Sequence, residues 1–260
     1  MAILLACLIS LFSLESFAEE LSILSLNLET TFFKSKKNNI IQLNRVINYY
    51  GTDVNIFHQT YNKKADLLKT NMDYPYFTYN DDIKRRTGTI LTSKVPITHE
   101  EFTSFEKNCS IWKVHGITNV SAKLENDKIL QFFNVSMRKN KKHWWDDILK
   151  LEKVVKRAAY DDNKVITIEF GDRPHPEMLE YISNRLDLFD VVDEWIKRER
   201  VETNEFDTGF DQKTPTRTNI VFINKSLINN VIEVTPVFDG THDENRYFKD
   251  AGILYKIDFD

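Results

Sequence analysis

Glycine is scarce in this chain: seven residues in 260, where average usage of about 7% would give roughly eighteen. Neither G-x-G-x-x-G nor G-x-x-x-x-G-K-[ST] occurs, which excludes the usual glycine-rich phosphate cradles. With two cysteines and six prolines, neither a disulfide scaffold nor a proline-rich or collagenous chain is possible. Charge of one sign is also lacking. The balance of 35 basic against 39 acidic side chains leaves −4, which argues against a basic nucleic-acid sleeve. What remains is globular in kind: 42% hydrophobic and 28% charged, enough at this length for one layered domain with a real core.

No apolar run is long enough to span a bilayer, which takes about 20 residues. Residues 3–14 (ILLACLISLFSL) form a run of twelve, followed by Ser16-Phe17-Ala18 and then Glu19-Glu20. A short apolar run before a small-x-small triplet predicts a secretory signal over residues 1–18, cut after Ala18. The mature domain is then residues 19–260, secreted or periplasmic, with no transmembrane span. No Lys or Arg precedes Lys34, so the basic n-region is missing, and a buried N-terminal helix is the competing reading. Cys7 would leave with the signal, so that Cys109 is the one cysteine of the mature chain. Asn108, Asn119, Asn134 and Asn224 each open an N-x-S tripeptide of the glycosylation type.

Hydrophobic periodicity divides the rest into alternating elements. Residues 21–28 alternate as a strand ending at Asn27, residues 39–50 carry a helical stripe stopped by Gly51, and residues 53–59 resume an extended run. Strands are expected over 88–93, 111–123, 129–137, 165–170, 219–223, 232–238 and 252–258, with an extended stretch over 188–192. Helices are expected over 144–159 and 177–186. Trp144 and Trp145 open the first of these two helices, where packing on a sheet fits them better than base stacking. His58 reads as an ordinary sheet residue.

The order of these blocks resembles the endonuclease/exonuclease/phosphatase superfamily. Asn27 closes the first strand, and Asp53-Val-Asn-Ile-Phe-His-Gln59 is similar to the family's D-V-I-x-x-Q-E one helix later. Gly88-Thr-Ile-Leu-Thr-Ser-Lys-Val-Pro-Ile97 resembles G-x-x-I-L-S-R-x-P-I, and residues 129–137 stand where the family has a strand ending in N-T-H-L. Gly171-Asp172 is similar to the start of G-D-F-N, Arg217-Thr-Asn219 to R-I-D, and Thr241-His242-Asp243 to S-D-H. The resemblance runs in order from about residue 21 to 258. It implies an α/β (α+β) fold of DNase I-like type: a four-layer sandwich of two mixed β-sheets flanked by helices.

It also implies metal-assisted attack of water on a phosphate ester, with Mg²⁺ or another divalent cation held by the Glu of Q-E. A His and an Asp/Asn pair would orient the phosphate and the water. Here the family positions are substituted: Thr60 after Gln59, Ser136 for the histidine, Pro174 for the asparagine of G-D-F-N, and Asn219 for the aspartate of R-I-D. Asn27, Asp172 and His242 remain as catalytic remnants, and Asp172 and Asp243 are the metal candidates. No cofactor is expected unless the chain is active, in which case it is Mg²⁺ or another dication.

Three functions are open. The favoured one is an exported binding domain or pseudoenzyme that keeps the fold and has lost the hydrolase. Its partner would be an unidentified protein or a phosphorylated ligand, and nucleic acid is not favoured. The second is a divergent phosphodiesterase or phosphatase, nuclease- or sphingomyelinase-like, rebuilt from Asn27, Glu29, Asp172, His175, His242 and Asp243. The third is an interaction module that shares only the architecture.

Overall fold

The computed structural model describes residues 20–28, 38–79, 87–105, 115–138, 140–158, 163–170, 173–200, 217–237 and 252–259. Twelve strands are described: β1 (Glu20–Asn27), β2 (Val54–Tyr61), β3 (Tyr76–Tyr79), β4 (Thr87–Ser93), β5 (Ile97–Ser104), β6 (Gly116–Lys123), β7 (Ile129–Ser136), β8 (Asn163–Glu169), β9 (Leu188–Asp190), β10 (Asn219–Asn224), β11 (Val231–Val237) and β12 (Gly252–Asp258). Six α-helices are described with them: α1 (Asn38–Tyr50), α2 (Asn62–Asn71), α3 (Trp144–Val155), α4 (Pro176–Leu186), α5 (Val191–Glu199) and the short α6 (Lys225–Ile228).

The strands form two six-stranded sheets, ordered β11-β12-β1-β2-β4-β3 and β5-β6-β7-β8-β10-β9. Each sheet has one parallel pair, β1 with β2 and β7 with β8, and its other described pairs are antiparallel. A parallel pair needs a crossover. Helix α1 lies in the first crossover and α3 in the second. The architecture is the expected sandwich of two mixed sheets with helices on the outer faces.

Strand alternation sorts the side chains into three apolar layers. Ile23, Val54, Ile56, Leu91, Phe132, Val165, Val221 and Tyr255 meet between the sheets. Leu24, Leu26, Phe57 and Ile90 turn outward and pack with Leu43 and Ile47 of α1 and Leu68 of α2. Phe133, Val135, Ile166, Ile168 and Phe222 turn outward from the second sheet onto Trp144, Ile148 and Leu151 of α3 and Met178 and Ile182 of α4.

Some expectations are corrected. The stretch 188–192 is a three-residue strand that passes into α5, because Asp190 Oδ1 caps the helix by accepting from the backbone N–H of Val192 at 3.0 Å and of Asp193 at 3.3 Å. Strand β5 follows Pro96 and was not anticipated. It is an edge strand and mostly exposed, so it carries little apolar alternation. Helix α2 has too few apolar positions for a strong stripe; Ala65 and Leu68, with Met72 just beyond it, bury one narrow edge. Asn134, of a glycosylation-type tripeptide, is fully buried on β7, where no glycan could be carried. The expected signal, residues 1–18, lies outside the described residues.

Gly116 starts β6 where β5 closes over it. A Cβ there would stand 2.5 Å from the Thr103 carbonyl oxygen and 2.7 Å from the Phe102 ring. Backbone cannot yield as a flexible side chain can, so Gly116→Ala is expected to cost about 1–3 kcal/mol. A urea midpoint equal to that of the parent would contradict this contact.

Candidate functional site

The space between the sheets is apolar over half its length and polar over the other half. On β1 the inward positions run Leu21, Ile23, Ser25, Asn27; on β2 they run Val54, Ile56, His58. On β7 they run Leu130, Phe132, Asn134, Ser136; on β8, Val165, Thr167, Glu169; on β10, Ile223, Val221, Asn219. All of the polar members are buried. Register sets them side by side: Asn27 beside His58 in the first sheet, and Gly116, Ser136, Glu169 and Asn219 in one row of the second.

Hydrogen bonds tie the two rows together. Asn27 Nδ2 donates to Glu169 Oε1 at 3.3 Å, and Ser136 Oγ makes a long 3.5 Å bond to Glu169 Oε2. Ser25 Oγ donates to Asn219 Oδ1 at 3.0 Å across the sandwich, and Thr167 Oγ1 donates to Asn134 Oδ1 at 3.0 Å. The carboxylate and both amide oxygens are therefore engaged by the protein's own donors. Three groups are left over: both ring nitrogens of His58, Asn134 Nδ2 and Asn219 Nδ2 are buried and have no hydrogen-bond partner among the described residues. Burial alone pulls the His58 imidazole down from 6.5 to about 3, so it is neutral at physiological pH.

Of the residues singled out in the sequence, Asn27, Ser136 and Asn219 converge here. Asp172, His242, Asp243 and Glu29 lie outside the described residues. Pro174 is buried and His175 is exposed at the start of α4, where its side chain makes no capping bond.

Thr60 is a correction. A bulge shifts the β2–β4 register between Phe57 and Thr60, and Gln59 there takes a left-handed φ of 54°. The extra residue reverses the alternation, so Thr60 shares the face of its pair Gly88, the face covered by Tyr79 and turned away from the cleft. Counted from Asp53, the Q-E spacing falls on His58 and Gln59. Gln59, at the glutamate's place in that resemblance, is an amide without charge.

The residue missed by sequence reasoning is Glu169. It ends β8 facing inward, in one row with Ser136 and Asn219. The signal was present: an acidic residue in phase with Val165 and Thr167 must enter the sandwich.

Two arginines near the cleft are already spent on carboxylates. Arg217, two residues before Asn219, grips Asp190 with Nη1 and Nη2 at 2.7 and 2.9 Å. Arg138, two residues after Ser136, bonds Asp147 through Nε at 2.7 Å. No inward-facing strand residue named above for this end is Lys or Arg. A groove of about 550 Å³ lies elsewhere, at the far end of β8 and β10, lined by Lys156, Lys164, Arg185 and Lys225 among others.

The implied dication finds a poor fit in these residues. Hard cations are held by carboxylates and other oxygens, and the cleft offers one described carboxylate, already bonded by Asn27 and Ser136. Among the described residues no group of three or more His, Cys, Asp and Glu could hold a metal ion.

This is the fold of endonuclease/exonuclease/phosphatase proteins, DNase I-like in its paired six-stranded sheets. A family member from Leptotrichia buccalis C-1013-b superposes with TM-score 0.72 at 16% identity, covering 92% of this chain and all (100%) of that one. D. rerio TDP2, crystallised with a single-strand DNA product, gives 0.69 at 14%, covering 92% and 98%. A mannosyl-6-phosphatase from Bacteroides thetaiotaomicron VPI-5482 gives 0.71 at 13%, covering 90% and 98%. No protein-family profile and no curated protein sequence matches the chain. The fold is common to these proteins while their ligands differ, so the site must decide the function.

Proposed function

We propose that this protein is an exported binding domain that keeps the endonuclease/exonuclease/phosphatase fold without its metal-dependent phosphoester hydrolysis. The observation that carries the reading is the charge inventory of the described inward residues: one buried carboxylate, Glu169, among neutral Asn27, His58, Ser136, Asn134 and Asn219. Losing a proton acceptor or a charge-stabilising group costs about 10²–10⁴ in rate each. With glutamine, serine and asparagine at three such positions, little rate is left. Export rests on the apolar run and the Ser16-Phe17-Ala18 triplet. Among the described residues no helix is long and apolar enough to cross a membrane.

The test is turnover. Purified protein with Mg²⁺, Mn²⁺ or Ca²⁺ is expected to leave bis-p-nitrophenyl phosphate, plasmid DNA and sphingomyelin uncut. Glu169 favours one competing reading, a hydrolase rebuilt around a displaced carboxylate. Hydrolysis that disappears in Glu169→Gln would establish that reading and remove ours. N-terminal sequencing of the protein recovered from culture medium or periplasm checks export, with Glu19 expected as the first residue.

A further inference from the structure

We infer that the outer face of α3 is a docking surface for a bilayer of anionic phospholipid. This surface belongs to the helix layer on the outside of the second sheet, away from the cleft, so it goes beyond the proposed function and does not depend on it. Helix α3 buries Trp144, Ile148, Leu151, Val154 and Val155 against the sheet and turns its other side to solvent. That side, with the 3₁₀ turn Lys141–His143 before it and the residues just after it, exposes six cations: Lys141, Lys142, Lys150, Lys153, Lys156 and Arg157. The exposed acid among them is Asp146, which lies 3.8 Å from Arg138 and 3.9 Å from His143. The excess of basic charge is local, on a chain whose balance is −4. Lys142, Lys150 and Lys153 have no carboxylate partner among the described residues. Set within this basic field are Trp145 and Leu149, 40% and 44% exposed. At 3.6 residues per turn, Trp145, Leu149, Lys153 and Lys156 fall within an arc of about 80° along about 17 Å of helix.

A bilayer surface meets both chemistries at once. Its phosphates stand just above an apolar interior, so Trp and Leu enter that boundary while lysine stems bend back to the phosphates. Apolar residues scattered singly over a surface need no partner, but these two stand one helical turn apart with cations before and after them. Nucleic acid would satisfy the lysines and leave Leu149 against a hydrated polyanion. Trp145 is also held edge-on by Tyr181 at 5.5 Å, which is no platform for a stacked base. At its C-terminal end the stripe leads into the groove of about 550 Å³, which Lys156 lines together with Lys164, Arg185 and Lys225. Glu152 engages Lys156 and Arg185 there at 2.5 and 3.1 Å, and Asp187 is the described carboxylate of the lining. Lys225 has no anionic partner among the described residues. A headgroup phosphate drawn to the stripe thus finds a recess beside it with basic charge to spare.

The experiment is co-sedimentation of the full-length protein with vesicles, of phosphatidylcholine alone and of an equimolar mixture with phosphatidylglycerol, at low and high salt. The apolar run at residues 3–14 is common to every sample, so differences between samples read α3. Binding to the mixed vesicles is expected to be at least about tenfold tighter than to phosphatidylcholine, and to weaken as salt rises. Lys142→Gln with Lys153→Gln should weaken it about 25-fold, at about fivefold for each lysine near an anionic surface. Trp145→Ala with Leu149→Ala should weaken it about tenfold or more while the preference for anionic vesicles stays. All four side chains are exposed, and each variant is read at equal folded fraction. Lys123→Gln with Lys197→Gln, on β6 and α5, removes the same charge elsewhere and should change binding by less than about twofold. Equal or absent binding to the two vesicle types, no loss in either α3 pair, or an equal loss in the control pair overturns the inference. So does tighter binding to a short DNA duplex than to the mixed vesicles, which would make nucleic acid the partner. Turnover is a separate readout: a protein that cuts phosphoesters and still binds anionic vesicles through α3 loses only the non-hydrolytic reading.

Discussion

Stability is expected to fall steeply on mild acidification, and His58 is the reason. Its imidazole is neutral in the fold down to about pH 3, whereas in the unfolded chain it takes a proton near 6.5. Between those values the unfolded state binds more protons, so unfolding gains with each step down in pH. Above pH 6.5 both states are neutral, and below about 3 both are charged, so the loss is confined to that window. At about 1.4 kcal/mol per pH unit the loss is roughly 2 kcal/mol by pH 5 and up to about 4–5 kcal/mol across the window.

The groups facing His58 do not rescue it. Asn27 beside it is an amide, and Glu169 beyond is bonded by Asn27 and Ser136. Glu152, held down to about 2 by Lys156, Tyr181 and Arg185, acts in a different range. Its contribution is complete above 4.5 and fades only as pH falls toward 2. Urea midpoints from pH 7 to 5 should therefore drop in the parent protein and drop far less in His58→Leu, which removes the titrating ring and fills its space. Parallel profiles would show that His58 is not the group.

The fold was legible from the sequence because its strands are long and their alternation is regular. Val165-Ile-Thr-Ile-Glu in β8 and Gly252-Ile-Leu-Tyr-Lys-Ile-Asp in β12 announce themselves. Edge and transitional elements were not legible, since β5 buries little and α5 begins inside an apparently β-branched run. The site was half legible. Asn27, Ser136 and Asn219 follow from motif order. Gln59 follows by counting from Asp53 and is missed only when Gln is matched to Gln, whereas Glu169 depends on register. A bulge changes which face Thr60 takes, and one residue of phase decides whether a carboxylate enters the cleft or leaves it. A one-dimensional match between identical letters, Gln to Gln and Asp to Asp, cannot see phase. His58 was passed over for a related reason: nothing local in the sequence tells a satisfied histidine from one buried without a partner.

Trp144 and Trp145 are adjacent in sequence, yet their removal should differ by several kcal/mol. Trp144 is fully buried, and its indole N–H donates to the Arg138 carbonyl at 2.6 Å. Its ring meets Phe170 edge-on at 5.1 Å. It thus holds three things in place: the first turn of α3, the chain leaving Ser136, and the residue that follows Glu169. Trp144→Ala leaves a cavity behind the cleft and an unpaired carbonyl, at an expected cost of about 3–5 kcal/mol. Arg138 would also loosen from Asp147, whose carboxyl is pushed up by burial against the pull of that guanidinium. Trp145 is 40% exposed and touches Tyr181 edge-on at 5.5 Å, so Trp145→Ala should cost only about 0.5–1.5 kcal/mol. Denaturant unfolding of the two variants decides it. Equal losses would mean that α3 does not pack on the sheet through Trp144, and that Glu169 is held by something other than the wall behind it.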